Sequence, residues 1–168
     1  LEFKDEKVAE IYNKIGNSYN NKEEYEKAIK KYKGALKLEV TNQLKAIIYN
    51  NIGNSYFNNN NYKEAIKEYK EALNLEPTEQ LKATIYNSLG HSYFLRGQYI
   101  KAINQYREVL SLENKEEKRA EVHNNIGNSY VYNEDFKEAA KEYKEALKLK
   151  CNNELKSEVY TNLGNTYF

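Results

Sequence analysis

Residues 49–77 read Tyr49-Asn-Asn-Ile-Gly53-Asn-Ser-Tyr56-Phe-Asn-Asn-Asn-Asn-Tyr62-Lys-Glu-Ala65-Ile-Lys-Glu-Tyr69-Lys-Glu-Ala72-Leu-Asn-Leu-Glu-Pro77. In the second half, Tyr62, Ala65, Ile66, Tyr69, Ala72 and Leu73 recur at steps of three and four. That spacing gathers them on one stripe of a helix and leaves Lys and Glu on the remainder. The run Asn58 to Asn61 before it favours a turn. The stretch is therefore a helix A, a short turn and a helix B.

The same unit is written along the whole chain. Tyr12-Asn-Lys-Ile-Gly-Asn-Ser-Tyr19, Tyr86-Asn-Ser-Leu-Gly-His-Ser-Tyr93, His123-Asn-Asn-Ile-Gly-Asn-Ser-Tyr130 and Tyr160-Thr-Asn-Leu-Gly-Asn-Thr-Tyr167 are variants of the 49–56 motif. Their glycines stand at 16, 53, 90, 127 and 164, a constant step of 37. Regular self-similarity of this length marks a stack of structural repeats, in which neighbours bury the faces that a lone hairpin leaves open. The fold expected is all-α: helix–turn–helix repeats at about 4–40, 41–77, 78–114 and 115–151, a half repeat at 152–168, and one solenoid domain over 1–168. The A helices are expected near 4–20, 41–58, 78–95, 115–132 and 152–168. Glycine inside a helix costs about 0.5–1 kcal/mol relative to alanine, so a repeated one implies close helix packing. The expected contacts are Gly16 with Ala28 and Gly53 with Ala65, with Tyr19 beside Tyr32.

Composition agrees. Apolar residues make up 40% of the 168, which is too many for a disordered polyampholyte. Pro77 is the only proline, which suits helices better than turn-rich β structure. Tyrosine and asparagine dominate unusually, at 17 and 24 residues. A net charge of +1 lacks the excess of Lys and Arg that phosphate neutralisation requires, so no nucleic-acid partner is expected. No run approaches the roughly 18 apolar residues of a membrane span, and no membrane partner is expected. No signal peptide pattern opens the chain, and its start at Leu1 suggests a fragment or a processed form.

Across essentially its whole length the pattern resembles the tetratricopeptide repeat family. The family's succession of large aromatic, Leu-Gly, Tyr, Ala, Phe/Tyr, Ala and Pro is similar to Tyr49, Ile52-Gly53, Tyr56, Ala65, Tyr69, Ala72 and Pro77. The resemblance implies a right-handed superhelical solenoid that binds protein or peptide partners. The period exceeds the family's usual 34 residues by three. The added residues, Thr41 to Leu44, Thr78 to Leu81 and Asn152 to Leu155, read as an N-cap followed by one more turn of helix A. Lys118 replaces the Leu in the fourth copy.

No chemistry emerges from the titratable residues. His91 and His123 lack the i, i+4 spacing of a zinc-binding helix, and Cys151 is alone, so no metal is expected. His123 stands at a packed aromatic position and His91 at a repeated polar one. The glycines are isolated within helices and form no phosphate loop. Glu and Lys on helix B read as a solvated face. No catalytic residue, no cofactor and no enzymatic activity are expected.

Binding is signalled instead on helix A. Asn13 and Asn17 are four apart and share a face. The pair recurs as Asn50/Asn54, Asn87/His91 and Asn124/Asn128, and ends as Thr161/Asn165. Asparagine is a mediocre helix former, and helix B carries only Asn74 and Asn104, so exposure alone does not account for the row. In the family this face lines the concave groove, and the row resembles the asparagine ladder of one of its branches. An amide offers two donors and an acceptor, suited to the backbone of an extended peptide. With helices about 10 Å apart and a strand advancing roughly 3.3–3.6 Å per residue, each pair would meet about every third ligand residue. Alanine at Asn54 is expected to leave stability nearly unchanged. The family's carboxylate clamp matches Asn17 and Asn51, but its cationic places hold Asn13, Thr84 and Ser88, so an acidic chaperone tail is disfavoured. A second reading is self-assembly through an uncovered face of the half repeat at Tyr160, Leu163, Tyr167 and Phe168.

Overall fold

The computed structural model describes residues 2–167. Among them are nine helices and no strand: α1 (Glu2–Asn20), α2 (Tyr25–Ala35), α3 (Asn42–Asn58), α4 (Tyr62–Asn74), α5 (Glu79–Leu95), α6 (Tyr99–Leu112), α7 (Glu116–Tyr132), α8 (Phe136–Lys148) and α9 (Asn153–Asn165). The fold is the expected all-α succession of helix–turn–helix repeats. The chain falls into two compact units, residues 1–88 and 89–168, with the boundary inside α5.

The added residues of the long period do extend helix A. Thr41 Oγ1 accepts the backbone N–H of Leu44 at 3.4 Å, and Asn152 Oδ1 accepts that of Leu155 at 2.8 Å. Each cap satisfies an otherwise orphaned donor of the first turn. α7 starts in the same register although Lys115 supplies no side-chain cap, so the register follows from packing.

Every A helix that leads into a B helix stops by the same device. Glu23, Asn60, Gly97 and Glu134 lie in the left-handed region, with φ between 59 and 69°. The next residue's N–H then reaches back five residues: Glu24 to Tyr19 O, Asn61 to Tyr56 O, Gln98 to Tyr93 O and Asp135 to Tyr130 O. This Schellman closure consumes a terminal carbonyl and reverses the chain. Only one copy uses glycine there.

Within residues 1–88, Ala9, Ala28, Ile29, Tyr32, Ala35, Ile48 and Ile52 form a core, and Tyr12, Tyr19 and Leu44 pack onto it. Within residues 89–168, Ala139, Tyr143, Ala146 and Val159 do the same, joined by Leu155 and Leu163. The repeated glycine faces a different partner from the alanine expected. A Cβ on Gly16 would lie 2.4 Å from the Tyr32 ring, and the same holds at 2.5 Å for Gly53 and Tyr69. Gly90 meets Tyr106, and Gly127 meets Tyr143, both at 2.4 Å. Ala28 and its equivalents are fully buried, but it is the edge of the helix B tyrosine that occupies the space a side chain would take. The helical spacing put alanine and tyrosine on one face; only the crossing of the two helices selects the ring.

Candidate functional site

The tyrosine seated on each glycine determines what helix A presents on its polar face. The Tyr32 hydroxyl donates to Asn17 Oδ1 at 2.7 Å, that of Tyr69 to Asn54 Oδ1 at 2.8 Å, and that of Tyr143 to Asn128 Oδ1 at 2.6 Å. All three rings are fully buried. A buried hydroxyl requires an acceptor, and the asparagine provides it. Burial pushes the Tyr32 hydroxyl up to about 12, with Ser55 offsetting part of the rise. Burial raises Tyr69 and Tyr143 as well. Asn17, Asn54 and Asn128 are thus part of the internal network, and Asn54→Ala is not the silent change expected from the sequence: it removes the amide acceptor of a buried hydroxyl and leaves that hydroxyl with Ser88 alone.

The same bond orients the amide. With Oδ1 turned towards the tyrosine, the Nδ2 of Asn17, Asn54 and Asn128 lies on the other side of each amide, on an exposed residue at Asn17 and half-buried ones at Asn54 and Asn128. The result is a series of N–H donors rather than groups that donate and accept equally.

The other half of each pair lies deeper. Asn50 is 7% exposed and Asn124 3%. Asn13 is half-buried, and its Oδ1 accepts from Asn51 Nδ2 at 2.9 Å. Asn124 Oδ1 accepts from Asn162 Nδ2 at 3.2 Å, while its own Nδ2 donates to Glu158 at 2.8 Å. These bonds tie α1 to α3 and α7 to α9. Asn162 Nδ2 also reaches Asn128 Oδ1 at 3.2 Å. Asn50 Oδ1 has no partner, and the place of Asn51 and Asn162 is held in the next copy by the shorter Ser88. Sequence reading took Asn51 only as a match to the family's carboxylate clamp and passed over Asn125, Asn162 and the tyrosine hydroxyls. The signal was available in two constant intervals: 38 residues from Asn13 to Asn51 and from Asn124 to Asn162, and 15 from Asn17 to Tyr32, Asn54 to Tyr69 and Asn128 to Tyr143.

The third copy departs from the rule. His91 replaces the asparagine; its ring meets Tyr106 edge-on, with centroids 5.6 Å apart. Asn125 Nδ2 lies 3.4 Å from His91 Nε2, so that nitrogen accepts and burial holds the imidazole below its ordinary pKa. Asn87 is half-buried, and Thr161 and Asn165 are exposed on α9. Thr161 donates to its own helix at Ser157 O. Below the row in residues 89–168 opens a cleft lined by Glu121, Asn124, Asn125, Asn152, Leu155 and the carboxylates of Glu154 and Glu158. Its charged groups are all acidic.

Elsewhere His123 is half-buried with Nδ1 2.7 Å from Glu142 Oε2, and Cys151 is half-buried. Among the described residues no cluster of three His, Cys, Asp or Glu is arranged to hold a metal, and no helix is long and apolar enough to cross a membrane.

The comparisons agree with the repeat fold. The tetratricopeptide repeat profile matches residues 7–75, 44–115 and 81–152. Crystal structures of MamA are similar in fold: one is 26% identical, covers 83% of this chain and 77% of its own, and superposes with a TM-score of 0.72. BtubC from P. vanneervenii is 23% identical, over 90% of this chain and 68% of its own, with a TM-score of 0.76. The Cut9–Hcn1 hetero-tetramer of the APC/C is 20% identical, over 92% of this chain and 35% of the other, with a TM-score of 0.64. No curated protein matches in sequence.

Proposed function

Because this chain belongs to the tetratricopeptide repeat family, a family of protein-interaction scaffolds, we propose that the asparagine face of its A helices holds an extended peptide segment of a partner protein. The observation that carries the proposal is the orientation of the amides. Tyr32, Tyr69 and Tyr143 take the oxygens, which leaves the Nδ2 side of each amide for a ligand. Such donors suit backbone carbonyls, which every peptide residue offers irrespective of its side chain. The residues assigned to this role are Asn13, Asn17, Asn50, Asn54 and Asn87 in the first unit, and His91, Asn124, Asn128, Thr161 and Asn165 in the second. Asn17, Asn54, Asn128 and Asn165 are the direct contacts. The buried Asn50 and Asn124 form the floor beneath them. Glu121, Glu154 and Glu158 favour a basic side chain over the last copies and disfavour RNA, whose phosphates they would repel.

The proposal separates cleanly from the structural role of the same residues. Asn17→Asp with Asn54→Asp keeps an oxygen for each tyrosine hydroxyl and replaces each outward donor by an acceptor. Peptides are selected on the wild-type chain from a display library and then titrated against the double variant by calorimetry. At roughly 0.5–1.5 kcal/mol per hydrogen bond, affinity is expected to fall several-fold to about a hundredfold, with an unchanged melting temperature. Selected peptides that bind the double variant as tightly as the wild type would remove the asparagine face from the function.

A further inference from the structure

Three helix B tyrosines, Tyr32, Tyr69 and Tyr143, give their hydroxyl to an asparagine Oδ1. Tyr106 cannot. It is as deeply buried as they are, at 1% exposed, and it meets the ring of His91 edge-on where the others meet an amide. The exchange changes the number of lone pairs. A carbonyl oxygen carries two, so Asn128 Oδ1 accepts from Tyr143 and from Asn162 Nδ2 together. A neutral imidazole carries one. Asn125, the equivalent of Asn162, lies 3.4 Å from His91 Nε2 and takes it. Tyr32 and Tyr69 also have a serine hydroxyl beside them, Ser55 and Ser88, whereas burial alone acts on Tyr106 and raises its pKa. Ser129, at the place of Ser55, donates into its own helix at Asn125 O instead. Among the described residues none accepts the Tyr106 hydroxyl. The fully enclosed side-chain polar atoms without a partner among these residues are Asn50 Oδ1 and Gln98 Oε1, so the Tyr106 oxygen is not sealed off.

A hydroxyl on a buried ring is costly without an acceptor, and an acceptor delivered by a ligand recovers that cost. We infer that the third copy holds the specificity-determining rung of the asparagine face, where the Tyr106 hydroxyl donates to an uncharged carbonyl oxygen of the bound segment; this rests on the peptide reading of that face. A carboxylate is the poorer acceptor here, because Asn125 lines the cleft that also carries Glu121 and Glu158, and like charges repel. At Tyr32, Tyr69 and Tyr143 the hydroxyl is already spent inside the chain. His91 is therefore the residue that sets this rung apart, by offering one lone pair where asparagine offers two. The face of α9 read from the sequence as a self-assembly surface makes no comparable demand: Tyr160 and Tyr167 are exposed, Leu163 packs on the core, and Phe168 lies outside the described residues.

Thermal melts and calorimetry on the whole chain test it. Tyr106→Phe should leave the melting temperature unchanged or raise it, whereas Tyr143→Phe lowers it by roughly 1–6 °C. In His91→Asn, whose second lone pair takes the hydroxyl back, Tyr106→Phe should lower the melting temperature by a similar amount. Peptides selected on the wild-type chain from a display library should bind Tyr106→Phe about two- to tenfold more weakly. No such difference is expected between His91→Asn and His91→Asn with Tyr106→Phe. An alanine scan of the peptide locates the oxygen. A position whose change weakens binding to the wild type but not to Tyr106→Phe marks a side-chain amide, and a loss at Tyr106→Phe without such a position marks a backbone carbonyl. A Tyr106→Phe chain destabilised as much as Tyr143→Phe would show the hydroxyl already satisfied and overturn the inference. Peptides weakened by Asn17→Asp with Asn54→Asp but indifferent to Tyr106→Phe would overturn this rung alone. Peptides indifferent to both would remove the asparagine face along with it.

Discussion

The hydrogen bond between Tyr143 and Asn128 makes a prediction whose sign depends on the background in which it is tested. The Tyr143 hydroxyl sits on a fully buried ring and donates to Asn128 Oδ1 at 2.6 Å. Unlike Tyr32 and Tyr69, it has no serine hydroxyl offsetting the effect of burial. Asn128→Ala removes the acceptor and leaves the hydroxyl stranded, at about 1–3 kcal/mol. Alanine regains up to ~0.7 kcal/mol of helix propensity, so the net loss falls to as little as about 0.3–2.3 kcal/mol. Tyr143→Phe gives up the bond but strands nothing at depth, because Asn128 is only half-buried and still accepts from Asn162; its cost is about 0.5–1.5 kcal/mol. In the phenylalanine background, Asn128→Ala has no hydroxyl to orphan and loses only the bond from Asn162, which the gain in helix propensity offsets, so the change is close to neutral. For a chain of 168 residues, a change of 1 kcal/mol moves the melting temperature by about 2–4 °C. Thermal melts of the wild type, both single variants and the double variant, followed by far-ultraviolet circular dichroism, complete the cycle. A cost for Asn128→Ala that is the same with tyrosine and with phenylalanine would show that the asparagine is not held in place by the ring hydroxyl, and the amide orientation inferred from it would fail too.

Three further outcomes follow from the same packing. Gly53→Ala places a Cβ 2.5 Å from the Tyr69 ring and should destabilise by about 1–3 kcal/mol through overpacking, whereas Gly164→Ala meets nothing and should gain up to roughly 1 kcal/mol of helix propensity; equal melting shifts would contradict the ring-on-glycine contact. Glu134→Gly relieves a left-handed φ of 62° and should raise stability by about 0.5–1 kcal/mol, the part of the left-handed cost that exceeds glycine's own entropy, read as a higher urea midpoint. Burial raises the hydroxyl pKa of Tyr32, Tyr69, Tyr106 and Tyr143 in the folded chain, so their stabilising contribution is complete below the unfolded value near 10 and is lost as pH rises above it. In an alkaline titration, the last part of the tyrosinate absorbance should rise only together with loss of helicity; a rise completed before unfolding would show that these four rings are accessible.

Local information determined the helices of this protein. Residues such as Tyr62, Ala65, Ile66 and Tyr69 recur with the period of a helix, and the copies at a step of 37 rule out coincidence, so element type, number and extent were legible along the chain. The N-caps at Thr41 and Asn152 were legible as well, because a cap bonds within three residues of itself. The left-handed turn residues were not localised, since Glu23 and Glu134 have no intrinsic preference for that conformation and are held there by the closure of the turn around them. Equally hidden was which residue of helix B occupies the glycine: Ala28 and Tyr32 are one turn apart on the same face, and only the approach of the two helices brings the ring edge to Gly16. The asparagine row was visible as a pattern, but its chemistry was not. Whether an amide presents its oxygen or its nitrogen depends on a tyrosine hydroxyl 15 residues away across a helix interface, and that burial forms only when helix B closes onto helix A.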